Sequence, residues 1–138
     1  MKVHHIGYLI DNIKSAAKEF EKLGFSKTGE IVEDLDREIY ILFLDNAGYQ
    51  VELIQPTAKS SPIYSLSKKF RNAPYHICYE TNDLQSEIDN MMKADGGYIL
   101  IQKPRPAPAI KGCPTVAFLM NRYLGMIELL EKDYENVR

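Results

Sequence analysis

Two histidines and two glutamates stand where this chain repeats itself. His5 opens the run His-Ile-Gly-Tyr and His76 opens His-Ile-Cys-Tyr; Glu52 sits in Val-Glu-Leu-Ile-Gln and Glu128 in Ile-Glu-Leu-Leu-Glu, each second copy a nearly constant distance after the first. A glutamate among aliphatic neighbours is costly to bury unless it is paired or bound to a metal. Two imidazoles and two carboxylates form a donor set for one borderline divalent ion, Ni²⁺ or Zn²⁺ first and Co²⁺ or Mn²⁺ next. Four protein ligands would leave a six-coordinate ion two positions for a chelating substrate. Taken singly, each residue has a duller explanation: a glutamate facing solvent on an edge strand, a histidine partly buried in a core. The duplication of the pair is what favours the metal.

These residues need elements to hold them, and the same layout is expected twice. His5–Ile10 is β-rich and apolar on both faces, as a strand covered on both sides would be. Asp11 or Asn12 can cap a helix whose apolar positions Ile13, Ala16, Ala17, Phe20 and Leu23 follow the helical period, and Gly24 ends it. Strands follow near 29–33, 38–44 and 49–55, the last two joined by Asp45-Asn46-Ala47-Gly48 as a hairpin loop. In the second copy a strand at 75–80 leads to a helix near 83–94 with Leu84, Ile88 and Met91 inward, stopped by Gly96-Gly97. Strands near 98–102, 115–120 and 126–131 complete it. The order is βαβββ twice, an α+β fold in one domain of residues 1–138. It comprises a first module (1–57), a connector with a short helix (58–73) and a second module (74–138). In the connector Ser61-Pro62 reads as a helix start, with Ile63, Leu66 and Phe70 on one face.

Several neighbouring residues could join the chemistry. On a strand His4 and His5 point to opposite faces; the repeat aligns His5 with His76 and His4 with Tyr75, which favours His5. Cys78 aligns with Gly7 and reads as a small buried residue, while Cys113 falls in a loop between Gly112 and Pro114. From Gly96 to Ile127 the chain carries Lys103, Arg105, Lys111 and Arg122 but no acid. Its middle, Lys103-Pro104-Arg105-Pro106-Ala107-Pro108-Ala109, is too rich in proline for a helix or a central strand and is expected as a stiff loop. Beside a metal cleft these four basic residues would suit a substrate with carboxylate or phosphate groups; a solvated loop that balances acids elsewhere is the equal alternative. Ser60-Ser61-Pro62-Ile63 reads as a helix cap or, less simply, as a helix start that grips substrate.

Composition narrows the class by exclusion. Apolar residues make up 45% and charged residues 26%, ordinary values that exclude intrinsic disorder. Seventeen Lys and Arg against nineteen Asp and Glu leave a net charge of −2, which is no footprint of a general nucleic-acid binder. No apolar run approaches the ~20 residues of a membrane span, and two histidines stand where a signal peptide would keep its apolar stretch. Two cysteines without CxxC spacing argue against a disulfide scaffold and for a reducing, cytoplasmic setting.

With these motifs in place, the chain resembles the vicinal oxygen chelate superfamily, the glyoxalase/bleomycin resistance fold. Within it the likeness is greatest to bacterial glyoxalase I (lactoylglutathione lyase) and methylmalonyl-CoA epimerase. The resemblance covers essentially the whole chain. It implies that two tandem βαβββ modules form a curved mixed β-sheet around a metal held by His5, Glu52, His76 and Glu128. A full set of four ligands points to the lyase and epimerase branch, since members with dioxygenase or thiol-transfer activity use three and bleomycin binders none. Both reactions remove a proton next to a carbonyl, where a divalent ion gripping two adjacent oxygens steadies the enediolate charge. By resemblance Glu128 is the first base, loosening from the metal as substrate binds, and Glu52 serves the opposite face. Epimerases of the family place a further acid in the first module, for which Asp34, Asp36 and Glu38 are the nearest candidates, none in a clean motif. The leading expectation is therefore a glyoxalase I-like lyase acting on the hemithioacetal of methylglyoxal and glutathione. Epimerisation of an acyl-CoA is the alternative, and a non-catalytic small-molecule binder the third reading. A homodimer fits the family, with no nucleic-acid or membrane partner.

Overall fold

A computed structural model describes residues 1–93 and 96–132; the expected helix end at 94 and the last residues of the second module, 133–138, lie outside the described residues. The chain divides into two compact units, one of His5–Tyr75 and one of Met1–His4 with the chain from His76 onward.

The first unit holds β1 (Lys2–Leu9) from His5 on, α1 (Ile13–Lys22), β2 (Ser26–Lys27), β3 (Val32–Asp34), β4 (Ile39–Asn46), β5 (Tyr49–Pro56) and α2 (Tyr64–Lys69). Its strands run in the order β2-β4-β5-β1, with β3 also pairing β4. β1 lies parallel to β5 and the other pairs are antiparallel. Of the two candidate caps it is Asn12 that acts, its side chain accepting the Ser15 N–H at 3.0 Å. Ile13 and Ala17 drive α1 onto Leu42, Leu44, Val51 and Leu53 of the sheet, with Ala16 and Phe20 beside them. Leu23, expected inward, is 72% exposed because it lies past the last helical turn. The expected strand near 29–33 is divided: β2 and β3 each pair with a different end of β4. Pairing continues to Asn46 opposite Tyr49, so the four-residue loop shrinks to Ala47 and Gly48, both at positive φ (51° and 91°). That is the mirror-image turn whose twist matches a hairpin; Gly48 adopts it freely and Ala47 does not. α2 begins later than Ser61-Pro62 suggested. The Ser61 hydroxyl donates to the Arg37 carbonyl at 2.9 Å instead of capping the helix, and Phe70 is exposed rather than inward.

The second unit contains β6 (Ala73–Thr81) from His76 on, α3 (Leu84–Lys93), β7 (Tyr98–Pro106), β8 (Thr115–Asn121) and β9 (Gly125–Glu131), with β6 parallel to β9 in the order β6-β9-β8-β7. Leu84 and Ile88 of α3 pack on Ala117, Leu119, Ile127 and Leu129. One expectation fails here: the proline-rich stretch is no loop from Lys103 onward, because β7 continues through Pro104 and Pro106. Proline is excluded from central strands for want of an N–H, but β7 is the last strand of the order, where one side of the backbone needs no ladder partner.

Side-chain hydrogen bonds repeat the duplication. The first N–H of α1, at Ile13, donates to Gln55 Oε1 (2.9 Å), and that of α3, at Leu84, donates to Glu131 Oε1 (3.1 Å), so the last strand of each unit holds its helix. Asn46 Nδ2 donates to the Leu23 carbonyl (3.3 Å) just past α1, as Asn121 Nδ2 does to Gly96 (2.7 Å) after α3. The α+β class read from the sequence holds in each unit.

Candidate metal-binding site

Each sheet turns one face to its helix, and period-two alternation sends the candidate ligands to the other. In β5, Val51 and Leu53 enter the helix-side core, which leaves Glu52 on the opposite face; in β9, Ile127 and Leu129 do the same for Glu128. The histidines follow from the parallel register. Glu52 lies opposite Gly7, two residues after His5, and Glu128 lies opposite Cys78, two residues after His76. Two residues is one pleat, so histidine and glutamate share a face on a diagonal in both units. Between them on that face stands the register partner, Gly7 or Cys78, and both are small and buried. Cys78 is thus the small buried residue that its alignment with Gly7 suggested, and a larger side chain there would part the donors.

The distances confirm the pairing. His5 Nε2 is 3.4 Å from Glu52 Oε1, and His76 Nε2 is 3.2 Å from Glu128 Oε1. All four residues are at most 5% exposed, so the glutamates do not face solvent. Sequence reading missed the third member of each group. Phe43 stands opposite Glu52 and its ring meets His5 edge to face (5.2 Å, 87°); Phe118 stands opposite Glu128 and meets His76 in the same way (5.1 Å, 89°). The signal was present as the echo Phe43-Leu44-Asp45-Asn46 and Phe118-Leu119-Met120-Asn121. Each unit thus presents one imidazole nitrogen and one carboxylate oxygen on a single face, walled by an aromatic ring. N and O donors in that combination suit a divalent transition ion, and a buried carboxylate is the group that such an ion would compensate.

Other candidates fall in separate places. His4 is half-buried, unlike His5. Arg105 lies opposite Val116 in β7, half-buried on the same face as Glu128. Lys103 and Lys111 are exposed. Arg122 does not join them: it sits in the β8–β9 turn, over the Tyr123 ring at 5.6 Å, at the end of the sheet away from Arg105. Cys113 is exposed in the turn before β8. Among the acids of the first unit, Asp34 is buried and held by Arg37, whose Nε and backbone N–H donate at 2.9 and 3.1 Å. Asp36 is exposed in the β3–β4 turn, and Glu38 accepts from the Ser60 hydroxyl. Ser60 and Ser61 both donate to that turn, and Ser61 also accepts the Ile63 and Tyr64 N–H groups at the approach to α2.

Residues 4–118 match the profile of the Glyoxalase/Bleomycin resistance protein/Dioxygenase superfamily. The chain belongs to this superfamily. Among curated members, it is 22% identical over 132 residues to the ethylmalonyl-CoA/methylmalonyl-CoA epimerase of Cereibacter sphaeroides, covering 95% of this chain and 97% of that one. Two solved structures share the fold. A hypothetical protein from Bacillus halodurans superposes with a TM-score of 0.83 at 23% identity, over 99% of this chain and 98% of that one. Methylmalonyl-CoA epimerase from Mycobacterium tuberculosis superposes with a TM-score of 0.80 at 18% identity, over 97% and 89%. Among the described residues of this superfamily member, no helix is long and apolar enough to cross a membrane.

Proposed function

We propose that this protein is a metal-dependent epimerase of acyl-CoA thioesters of the methylmalonyl-CoA type. The observation that carries this reading is the end-to-end likeness to the ethylmalonyl-CoA/methylmalonyl-CoA epimerase, in a chain with a buried His–Glu pair in each unit. It reverses the order of the two enzyme readings drawn from the sequence, which put the lyase first.

His5, Glu52, His76 and Glu128 would together hold one divalent ion, with Ni²⁺, Zn²⁺, Co²⁺ and Mn²⁺ all suited to the donors. When bound, the ion supplies a Lewis acid that steadies negative charge developing on substrate oxygens. The carboxylates move the proton. Glu128 takes it from the carbon next to the thioester carbonyl and becomes a carboxylic acid, while the C–H electron pair passes into that carbonyl. Return of a proton to the same carbon from the opposite face is assigned to Glu52, which relays it from solvent, and the C–H bond re-forms with inverted configuration. Phe43 and Phe118 keep water from the donors, where charge interactions are stronger than in bulk solvent. Arg105, with Lys103 and Lys111 beyond it, is assigned to the anionic part of the substrate. Arg122 has no role in this reading, standing as it does at the other end of the sheet.

The order His, Glu, His, Glu equally suits the glyoxalase I-type conversion of a hemithioacetal to lactoylglutathione, so the test separates the two. Protein stripped of metal and reloaded with each ion is incubated with methylmalonyl-CoA in D₂O, and loss of the α-proton signal is followed by NMR. A parallel sample receives the hemithioacetal of methylglyoxal and glutathione. Metal-dependent exchange that disappears in Glu128→Gln is the expected result. Turnover of the hemithioacetal without exchange would move the protein to the lyase class. Silence in both arms, in protein that binds the ion, would make it a binder without catalysis.

A further inference from the structure

We propose that Gln102 is a substrate-binding residue, its amide donating a hydrogen bond to an acceptor oxygen of the bound acyl-CoA; this rests on the acyl-CoA reading above. The starting observation is an irregularity in β7. Leu100 lies opposite Leu119 and packs in the helix-side core of the unit. Strict alternation would put residue 102 on that same apolar face. A register shift between Leu100 and Gln102 prevents it and brings Gln102 opposite Phe118, which itself lies opposite Glu128. A second shift, between Gln102 and Arg105, returns Arg105 to this face opposite Val116. Bulges turn side chains that a regular strand would aim elsewhere, and they gather beside functional sites. Here two in succession carry an amide and a guanidinium to the face that bears His76 and Glu128.

The second observation concerns the amide itself. Gln102 Nε2 is shut off from solvent and has no hydrogen-bond partner among the described residues. Native proteins rarely leave a buried donor unsatisfied, because its lost hydration is not recovered. A donor turned by a bulge to the ligand face and left open there is suited to an oxygen supplied by a ligand. Gln102 is two strands from Glu128, about 10 Å between backbones, so its amide reaches a group beyond the carbon that loses its proton. Its contribution therefore falls on binding rather than on proton transfer.

The test uses the full chain loaded with metal, with methylmalonyl-CoA and propionyl-CoA as probes, titrated calorimetrically into wild type and Gln102→Met. Methionine keeps the length and removes the donor. At least a tenfold weakening of methylmalonyl-CoA binding is expected, with metal affinity and melting temperature unchanged. If the acceptor is the carboxylate, propionyl-CoA, which lacks it, is unaffected; if it is a thioester or pantetheine oxygen, both probes weaken. Should the methionine variant melt early, Gln102→Asn, which withdraws the amide by one methylene but keeps it polar, takes its place with the same expectation. Binding of both probes within twofold of wild type would overturn the assignment. Wild-type protein that binds neither probe would instead remove the acyl-CoA reading, and the role of Gln102 with it.

Discussion

Replacing Glu128 by leucine should make the metal-free protein more stable and the metal-loaded protein relatively less so. Glu128 is 2% exposed, between Ile127 and Leu129 on β9 and opposite Phe118, and its Oε1 is 3.2 Å from His76 Nε2. Exchanging a buried ion pair for apolar side chains of similar volume is often neutral or stabilising by about 1–4 kcal/mol, because no charge then has to leave water. The usual penalty for removing one member of a buried pair is a stranded charge. It is avoided here, because an imidazole, unlike a guanidinium, can be neutral. Leucine also restores apolar burial worth about 1.5–3 kcal/mol for a fully buried side chain. A net gain of about 1–3 kcal/mol is expected, which for a chain of this length raises the melting temperature by about 3–10 °C. The metal reverses the order. An ion at a thousand times its dissociation constant stabilises the wild type by about 4 kcal/mol, and a variant lacking one of four ligands loses most of that. The assay is thermal denaturation followed by circular dichroism, in chelator and in each divalent ion. A metal-free variant that melts below the wild type would refute the claim that Glu128 is held at a cost to stability. A variant whose melting temperature rises with metal as far as the wild type's would refute its role as a ligand.

Two further predictions follow from the duplicated geometry. Cys78→Leu should weaken ion binding at least tenfold and cost about 1–3 kcal/mol of stability through overpacking, because residue 78 stands opposite Glu128 on the face it shares with His76; Cys78→Ala should keep ion affinity within threefold. Calorimetric ion titration of both variants decides it, and equal affinities would dismiss the spacing argument. Gln55→Leu should cost about 0.5–1.5 kcal/mol in urea unfolding, the worth of the hydrogen bond accepted from the Ile13 N–H. Gln55→Glu should cost less than half of that, since Glu131 does the same for Leu84 in the second unit, and identical losses for both would show that the hydrogen bond contributes nothing.

The repeat was legible in the sequence because duplication preserves what burial and the pleat demand. Apolar residues flank Glu52 and Glu128, a histidine stands in each first strand, and a small residue occupies 7 and 78. Helices and most strands followed from periodicity, which depends only on which side of an element meets the core. What the chain alone did not disclose depended on pairing between distant residues. Position at the end of a sheet let β7 run through Pro104 and Pro106, and no local pattern reports which strand is outermost. Register set Phe43 and Phe118 beside the histidines and assigned Gln55 and Glu131 to their helices. One bulge turned Gln102 to the face that bears Glu128 against its own alternation, and the end of a hairpin took Arg122 away from Arg105. Residue type and spacing determined the chemistry available to this protein; register and strand order, which are properties of contacts rather than of neighbours in the chain, decided which side chains can take part in it.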